Sequence, residues 1–425
     1  MADVRPFCGL RYDMGHVRSL SSVITPPYDV IIPKEQNAFH ARDPLNIIRL
    51  EFGKEAPGDR AGNDKYTRAA RTFHEWIQGG ILVREKLPAF YLVEHRFPSS
   101  GGYKSYWGLI AAVRLEPFET GHIRPTEIIM KGPAADRMNL LRACSANFSP
   151  IMGIFDGIGG SLLSLFPDIN PGKPALTASD DAGVIFNVWV ITGENSARKT
   201  SEFFARRTLY IADGHHRYTT ALAFRDERMA EGKSGSEAVN YLMMTLISSR
   251  DPGLTLLPTH RLVKGLNPGQ LTQLEEGLRR LFDVKALASG NPTQLKTALS
   301  ESGKKGPAFG LYGLQGKSYL LLSPRDLPAL REMLPRDKPP AWTELDVTLL
   351  HGVIMEHVLG LKNPEDLKEH LEYSPSEGEL VSRIDGGSAQ LAFFLNPVPV
   401  SSVIAVADAG VRMPPKSTYF YPKTP

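Results

Sequence analysis

The chain has 425 residues, 42% hydrophobic and 22% charged, with a formal net charge of +3 and two cysteines, Cys8 and Cys144. That length argues for two or three domains, and the near-balanced charge argues against an electrostatic nucleic-acid binder. Two distant cysteines speak against a disulfide framework, and no apolar run approaches a signal peptide core or a membrane span, so a cytoplasmic protein is expected.

Residues 1–60 are rich in proline and polar turns, and Val23-Ile24-Thr25-Pro26-Pro27-Tyr28-Asp29-Val30-Ile31 stands out. Tandem prolines hold an extended backbone. The stretch predicts a rigid loop, either a surface crossover or a stiff wall presenting Tyr28 and Asp29 to a site. Apolar spacing at Tyr66, Ala69, Phe73, Trp76 and Ile77 predicts a helix over about 65–78, ended by Gly79-Gly80. Two β-rich runs, 89–97 and 103–115, predict a hairpin in which Glu94, His95 and Arg96 mark an exposed face.

From Gly121 the character changes. Glu127 stands between Arg124-Pro125 and the apolar pair Ile128-Ile129, and Lys131-Gly132-Pro133 opens a helix whose stripe is Ala134, Met138, Leu141, Cys144 and Phe148. Strands are predicted at 150–155, 184–191 and 209–212. The last runs into Asp213-Gly214-His215-His216-Arg217-Tyr218 and then a helical pattern. Beyond it, 241–247 and 254–263 read as strands, the second holding Pro258-Thr259-His260-Arg261. Helices at about 269–282 and 293–302 and a hairpin over 309–322, turning at Gln315-Gly316, suggest a separate α+β unit. Asp346 is read as the N-cap of a helix closed by Gly360, and a strand at 390–395 and a helix near 399–408 lead to the tail. The tail packs three aromatics into Lys416-Ser417-Thr418-Tyr419-Phe420-Tyr421-Pro422-Lys423, which a disordered end would not carry, so it is expected to fold back.

Nucleotide-binding signatures of the standard kinds are absent. Arg198 occupies the second-glycine position of a Walker-like stretch, and Gly157, Gly159 and Gly160 lack the third glycine of a dinucleotide fingerprint. The strand–glycine–helix turn at 209–218 is more informative. It places Arg217 in a first helical turn, where its charge opposes the dipole unless an anion lies between them. A phosphate cradle resolves that conflict, with Gly214, His215, His216 and Arg217 as donors. A plain surface turn, or a weak metal site, is the alternative. Glu127 reads either as a solvated carboxylate or as a base in a drier setting, and Lys416-Ser417-Thr418 offers a cation and two hydroxyls.

Four segments carry a resemblance over nearly the whole length: Pro26-Pro27-Tyr28-Asp29-Val30-Ile31, Asp213-Gly214-His215-His216-Arg217-Tyr218, Pro258-Thr259-His260-Arg261 and Met413 to Lys423. In this order they resemble an uncharacterised bacterial and archaeal domain-of-unknown-function family. The middle part, about 122–225, is similar to the ParB/sulfiredoxin-like superfamily, and within it to the ADP-dependent free serine kinases. Those kinases carry a Pro-His-Glu segment, an Asp-Gly-His-His-Arg turn and a late Ser-Pro-Lys-Thr-Thr segment in the same order. Here Thr126 stands where they have His, and Ile129 where Thr is usual. Position 215 lacks the catalytic Cys of sulfiredoxin, which excludes that chemistry.

The resemblance implies a mixed α/β (α+β) fold. It places an N-terminal α/β region at 1–120, a ParB/sulfiredoxin-like nucleotide-binding core at 121–265, and a C-terminal α+β region at 266–425 whose tail returns to the site. It implies Glu127 as the base and Asp213 as the group orienting a substrate hydroxyl or metal. Gly214, His215, His216 and Arg217 would hold phosphates, and Lys416, Ser417 and Thr418 the substrate. Tyr28, Asp29, His260 and Arg261, from the matched segments, complete the substrate-binding set. The implied cofactors are ADP or ATP with Mg²⁺, whose ligands stay unassigned. The implied partners are a nucleotide and a small polar substrate, with no membrane and with homo-oligomerisation left open. The reading is a nucleotide-dependent kinase for the hydroxyl of serine or a similar amino or hydroxy acid. A ParB-like nucleotide switch without turnover, or a phosphatase on the same site, is the alternative.

Overall fold

The apolar runs of the first 255 residues become the strands of one nine-stranded mixed sheet. Its order is Ile123–Pro125, Leu209–Asp213, Ile151–Phe155, Tyr241–Ser248, Gly102–Arg114, Phe90–Ser99, Ile185–Ile191, Leu176–Ser179, with Val4–Arg5 pairing on to Gly102–Arg114. This computed structural model describes residues 2–99, 101–128, 134–157, 162–232, 237–287, 292–314 and 318–425. Ile129, Lys131-Gly132-Pro133, Gly159-Gly160 and Gln315-Gly316 lie outside the described residues. No helix among those described is long and apolar enough to cross a membrane.

The chain forms two units: Met1–Pro125 with Ile129–Thr255 and Pro422–Pro425, and Thr126–Ile128 with Leu256–Tyr421. The regions 1–120 and 121–265, expected as separate, share the large sheet, because Gly102–Arg114 pairs antiparallel with Tyr241–Ser248 through Met243↔Ala112 and Thr245↔Ile110. The main core of the first unit lies on one face of that sheet. Leu92, Leu109, Ala111, Val113, Phe155 and Leu209 pack there with Phe204 and Tyr218 from the covering helices.

The helix Lys65–Gln78 matches its predicted span. Asp64 caps it by accepting from Tyr66 N at 3.1 Å and Thr67 N at 2.8 Å, and Phe73 and Trp76 face inward. A helix at Pro33–Arg42 falls where the sequence reads as turns. Pro33 starts it, and the Glu35 side chain accepts from Ile32 N at 3.0 Å. The hairpin forms as Phe90–Ser99 and Gly102–Arg114, but His95 is 0% exposed rather than on an exposed face. Strand alternation turns it inward between its charged neighbours, where it stacks on Tyr106 at 4.4 Å and its Nε2 meets Thr424 Oγ1 at 2.9 Å.

The second unit is built on a six-stranded antiparallel sheet. Its order is Phe282–Ala286, Leu320–Pro324, Phe309–Tyr312, Leu391–Phe394, His260–Val263, Leu371–Ser374. Residues 254–263, expected as one strand, form two, Thr255–Leu257 and His260–Val263. Pro258 has no N–H to continue the ladder. Asp346 is the first helical residue and Leu345 takes the cap position. The helix then widens into i→i+5 turns over Leu350–Val358, a form that often marks functional sites.

Candidate functional sites

In the first unit, the strand Leu209–Asp213 ends at Gly214, which adopts φ 88° and leads into the helix His215–Ala230. Only glycine fits there, since a Cβ would lie 2.5 Å from Ile151 Cγ2. The strand–glycine–helix reading therefore stands. The charge of Arg217 also has an anionic partner within the chain, Asp213. Arg217 Nη2 donates to Asp213 Oδ2 at 3.0 Å, and Nη1 donates to Ser149 Oγ and the Pro150 carbonyl, both at 3.0 Å. The other Asp213 oxygen accepts from Lys423 Nζ at 2.6 Å, and the same ammonium lies 3.8 Å from Asp29 Oδ2. Burial works against the Asp213 charge, but Lys423 and Arg217 outweigh it and hold the carboxyl down at about 2. His215 is buried and adds to that pull, while His216 is half-buried beside it on the helix.

The network continues inward from Arg217. Ser149 Oγ donates to Glu51 Oε1 at 3.0 Å, and Arg137 Nη1 donates to Glu51 Oε1 at 3.3 Å and to its carbonyl at 2.9 Å. Arg137 Nε also donates to Asp136 at 2.8 Å, and its guanidinium lies 3.8 Å from the centre of the Tyr28 ring. Glu51 is 5% exposed, and burial raises its carboxyl above the ordinary range against the opposing pull of Arg137 and Arg217. A cavity of about 40 Å³ lies among Glu51, Arg137, Ser149 and Arg217. It has room for water but not for a nucleotide.

In the second unit, the segment Thr126–Ile128 is clamped to the tail. Met413 N donates to the Thr126 carbonyl at 2.9 Å, and Ile128 N donates to the Met413 carbonyl at 3.0 Å. The Glu127 carboxylate accepts from Lys416 N at 3.2 Å, Thr418 N at 2.8 Å and Thr418 Oγ1 at 2.7 Å. Lys416 reaches this geometry at φ 57°, a conformation non-glycine residues rarely adopt, with its side chain exposed. Ser417 is buried and donates to the Pro414 carbonyl at 2.6 Å, which closes the loop. Arg261, 1% exposed, donates to the Lys416 carbonyl at 3.3 Å and to the Thr259 carbonyl, and faces His351 Nε2 at 3.4 Å. Burial brings its guanidinium down to about 10. His260 sits in the strand core: its Nδ1 accepts from Leu395 N at 3.2 Å, its ring lies 5.0 Å from Phe394, and burial keeps it at about 3.

Two clusters thus emerge from the expected residues. Tyr28, Asp29, Asp213 and Arg217 belong to one network in the first unit, and Glu127, Lys416, Thr418 and Arg261 to another in the second. Sequence reasoning missed Glu51, Arg137, Ser149 and the role of Lys423. Arg137 was missed because the stripe predicted for its helix ran through Met138 and Leu141, whereas the buried positions among the described residues are Arg137, Leu140 and Cys144, a face rotated to carry the charge inward. Glu51 and Ser149 left no signal. Among the described residues no group of three or more His, Cys, Asp or Glu could hold a metal ion.

Fold and sites together define a mixed α/β protein with a buried charge network at a strand–glycine–helix turn. The chain belongs to the DUF1015 family, described as a protein of unknown function, which matches residues 4–348. Among solved structures it is similar to a conserved hypothetical protein from Pyrococcus furiosus, at 12% identity and TM-score 0.36, covering 75% of this chain and 92% of that one. It is also similar to a free serine kinase in complex with AMP, at 12% identity and TM-score 0.35, covering 74% and 86%. SbnI with a C-terminal truncation, from Staphylococcus aureus, is similar at 10% identity and TM-score 0.35, covering 74% and 84%. No curated protein matches the sequence.

Proposed function

We propose that the protein is a nucleotide-dependent phosphotransferase acting on the hydroxyl of a small polar substrate, serine or a similar amino or hydroxy acid, with a ParB/sulfiredoxin-like nucleotide-binding core. The observation that carries this reading is the anchoring of Glu127 by Lys416 and Thr418. A general base must be held in position, and the residues holding this half-exposed carboxylate belong to the late segment that the motif resemblance assigns to the substrate. The order of the Glu127 segment, the Asp-Gly-His-His-Arg turn and the late segment supports the same reading.

In this reading Glu127 takes the proton of the substrate hydroxyl as its oxygen bonds to the terminal phosphorus and the bond to the leaving nucleotide breaks. Gly214, His215, His216 and Arg217 contribute donors for phosphate oxygens, and Tyr28, Asp29, His260 and Arg261 remain assigned to the substrate side. Phosphoryl transfer depends on such positioning and charge neutralisation rather than on covalent chemistry by the protein. Mg²⁺ would neutralise phosphate charge. Its ligands stay unassigned: Asp213 is already paired with Lys423 and Arg217, and Asp29 faces the same Lys423 ammonium.

The test is to incubate the protein with Mg²⁺, ADP, ATP or CTP and a panel of hydroxy and amino acids, with phosphorylated product read by mass spectrometry. Turnover with one donor is expected. Stoichiometric nucleotide binding without turnover would favour the switch reading, and absence of any nucleotide binding would remove both.

A further inference from the structure

The strand Gly102–Arg114 is interior to the large sheet, and its run Leu109-Ile110-Ala111-Ala112-Val113 is apolar at every position. Such a run on an interior strand calls for cover on both faces. One face has it, with Leu109, Ala111 and Val113 each 0% exposed. Ile110 and Ala112, on the opposite face, are only half-buried. They line a cavity of about 710 Å³, walled also by Leu10, Tyr91 and Phe148, all in the first unit. Small-molecule sites are typically about 300–1,000 Å³, mostly apolar, with a few placed polar groups.

The charged side chains on the lining are Glu237 and three arginines, so positive charge predominates. Arg5 is paired with Asp3 and Glu237, and Arg11 with Glu85. Arg84 is exposed, and among the described residues its guanidinium makes one hydrogen bond, to the Cys8 carbonyl at 3.3 Å. A guanidinium with no carboxylate partner beside an apolar cavity matches the planar fork of a ligand carboxylate. Gly9 lets the wall close on Tyr91, whose hydroxyl accepts from Gly9 N at 2.8 Å. A Cβ there would lie 2.5 Å from that oxygen.

We infer that this cavity binds a small amphipathic monocarboxylate, its hydrocarbon body against Ile110 and Ala112 and its head on Arg84. The site is independent of the phosphotransferase reading, and its test uses no activity.

Cys8 lies on the cavity lining and is half-buried, whereas Cys144, the only other cysteine, is buried. The rate of Cys8 alkylation by N-ethylmaleimide, read by intact and peptide mass, therefore reports occupancy. Decanoate at about ten times its Kd is expected to slow it about tenfold by mass action, decanol less, and acetate not at all. Arg84→Glu, a surface change, is expected to remove the advantage of decanoate over decanol, and Ala112→Leu to weaken protection by both. An unchanged rate with decanoate, equal protection by decanoate and decanol in the unaltered protein, or full decanoate protection in Arg84→Glu would overturn the assignment.

Discussion

Lys423 donates to Asp213 at 2.6 Å across a sequence separation of 210 residues, and the same ammonium lies 3.8 Å from Asp29. One side chain thereby ties the end of the tail to the Pro-Pro-Tyr-Asp loop and to the Asp-Gly-His-His-Arg turn. Three segments that stand out in the sequence for different reasons meet in one charge network.

Removing that ammonium leaves Asp213 with Arg217 as its one charged hydrogen-bond partner among the described residues, beside His215. Lys423→Met is expected to destabilise the first unit by about 2 kcal/mol, measured by urea denaturation at pH 7. The pH dependence follows from the depressed carboxyl. Asp213 is held at about 2 when folded, against roughly 3.9 unfolded. Its contribution is fully present above about pH 4 and is lost as pH falls toward 2. The acid transition of Lys423→Met should move to higher pH, and an unchanged transition would show that the pair is not coupled to folding.

Buried histidines set a second acid response, of opposite cause. Burial holds His95, His260 and His351 at about 3, with Arg261 adding to the effect on the latter two. Each is about 6.5 when unfolded. Between about 6.5 and 3 the unfolded chain binds more protons, so stability falls as pH drops through that window, by up to ~1.4 kcal/mol per pH unit for each histidine. With two of the three in the second unit, amide exchange at pH 5, corrected for intrinsic rates, should rise more in its strands than in the large sheet. His351→Gln should flatten that response.

Gly214 tests the turn. Gly214→Ala places a Cβ at φ 88° and 2.5 Å from Ile151 Cγ2. It is expected to cost about 2 kcal/mol or more, with reduced nucleotide-induced thermal shift in whatever folds. A variant as stable as the parent would mean the turn adopts another geometry.

Local chemistry made part of this legible. The helix Lys65–Gln78, the hairpin and the strand–glycine–helix turn follow from spacing and from Gly79, Gly102 and Gly214, because those signals act within a few residues. The meeting of Glu127 with Lys416 and Thr418 came from motif order alone, since no periodicity links residues so far apart. The Asp213–Lys423 pair, and Ser149 bridging Arg217 to Glu51, had no local trace. The dipole conflict at Arg217 was legible, but its pairing with the chain's own Asp213, four residues back, was not read from it.

Thr418→Val keeps the shape of the side chain and removes its 2.7 Å hydrogen bond to Glu127. It is expected to cost about 1 kcal/mol in stability. If the bond also fixes the base during transfer, kcat should fall roughly five- to tenfold. Nucleotide Kd, measured by calorimetry, should stay unchanged. Loss of nucleotide affinity with kcat intact would assign Thr418 to binding instead.

The most direct test compares the unaltered protein with Glu127→Gln in single-turnover phosphorylation of a hydroxy acid, with Mg²⁺ and the preferred nucleotide. The account predicts product from the former and at least about 100-fold slower formation by Glu127→Gln, with nucleotide binding retained. Product formed undiminished by Glu127→Gln would contradict it.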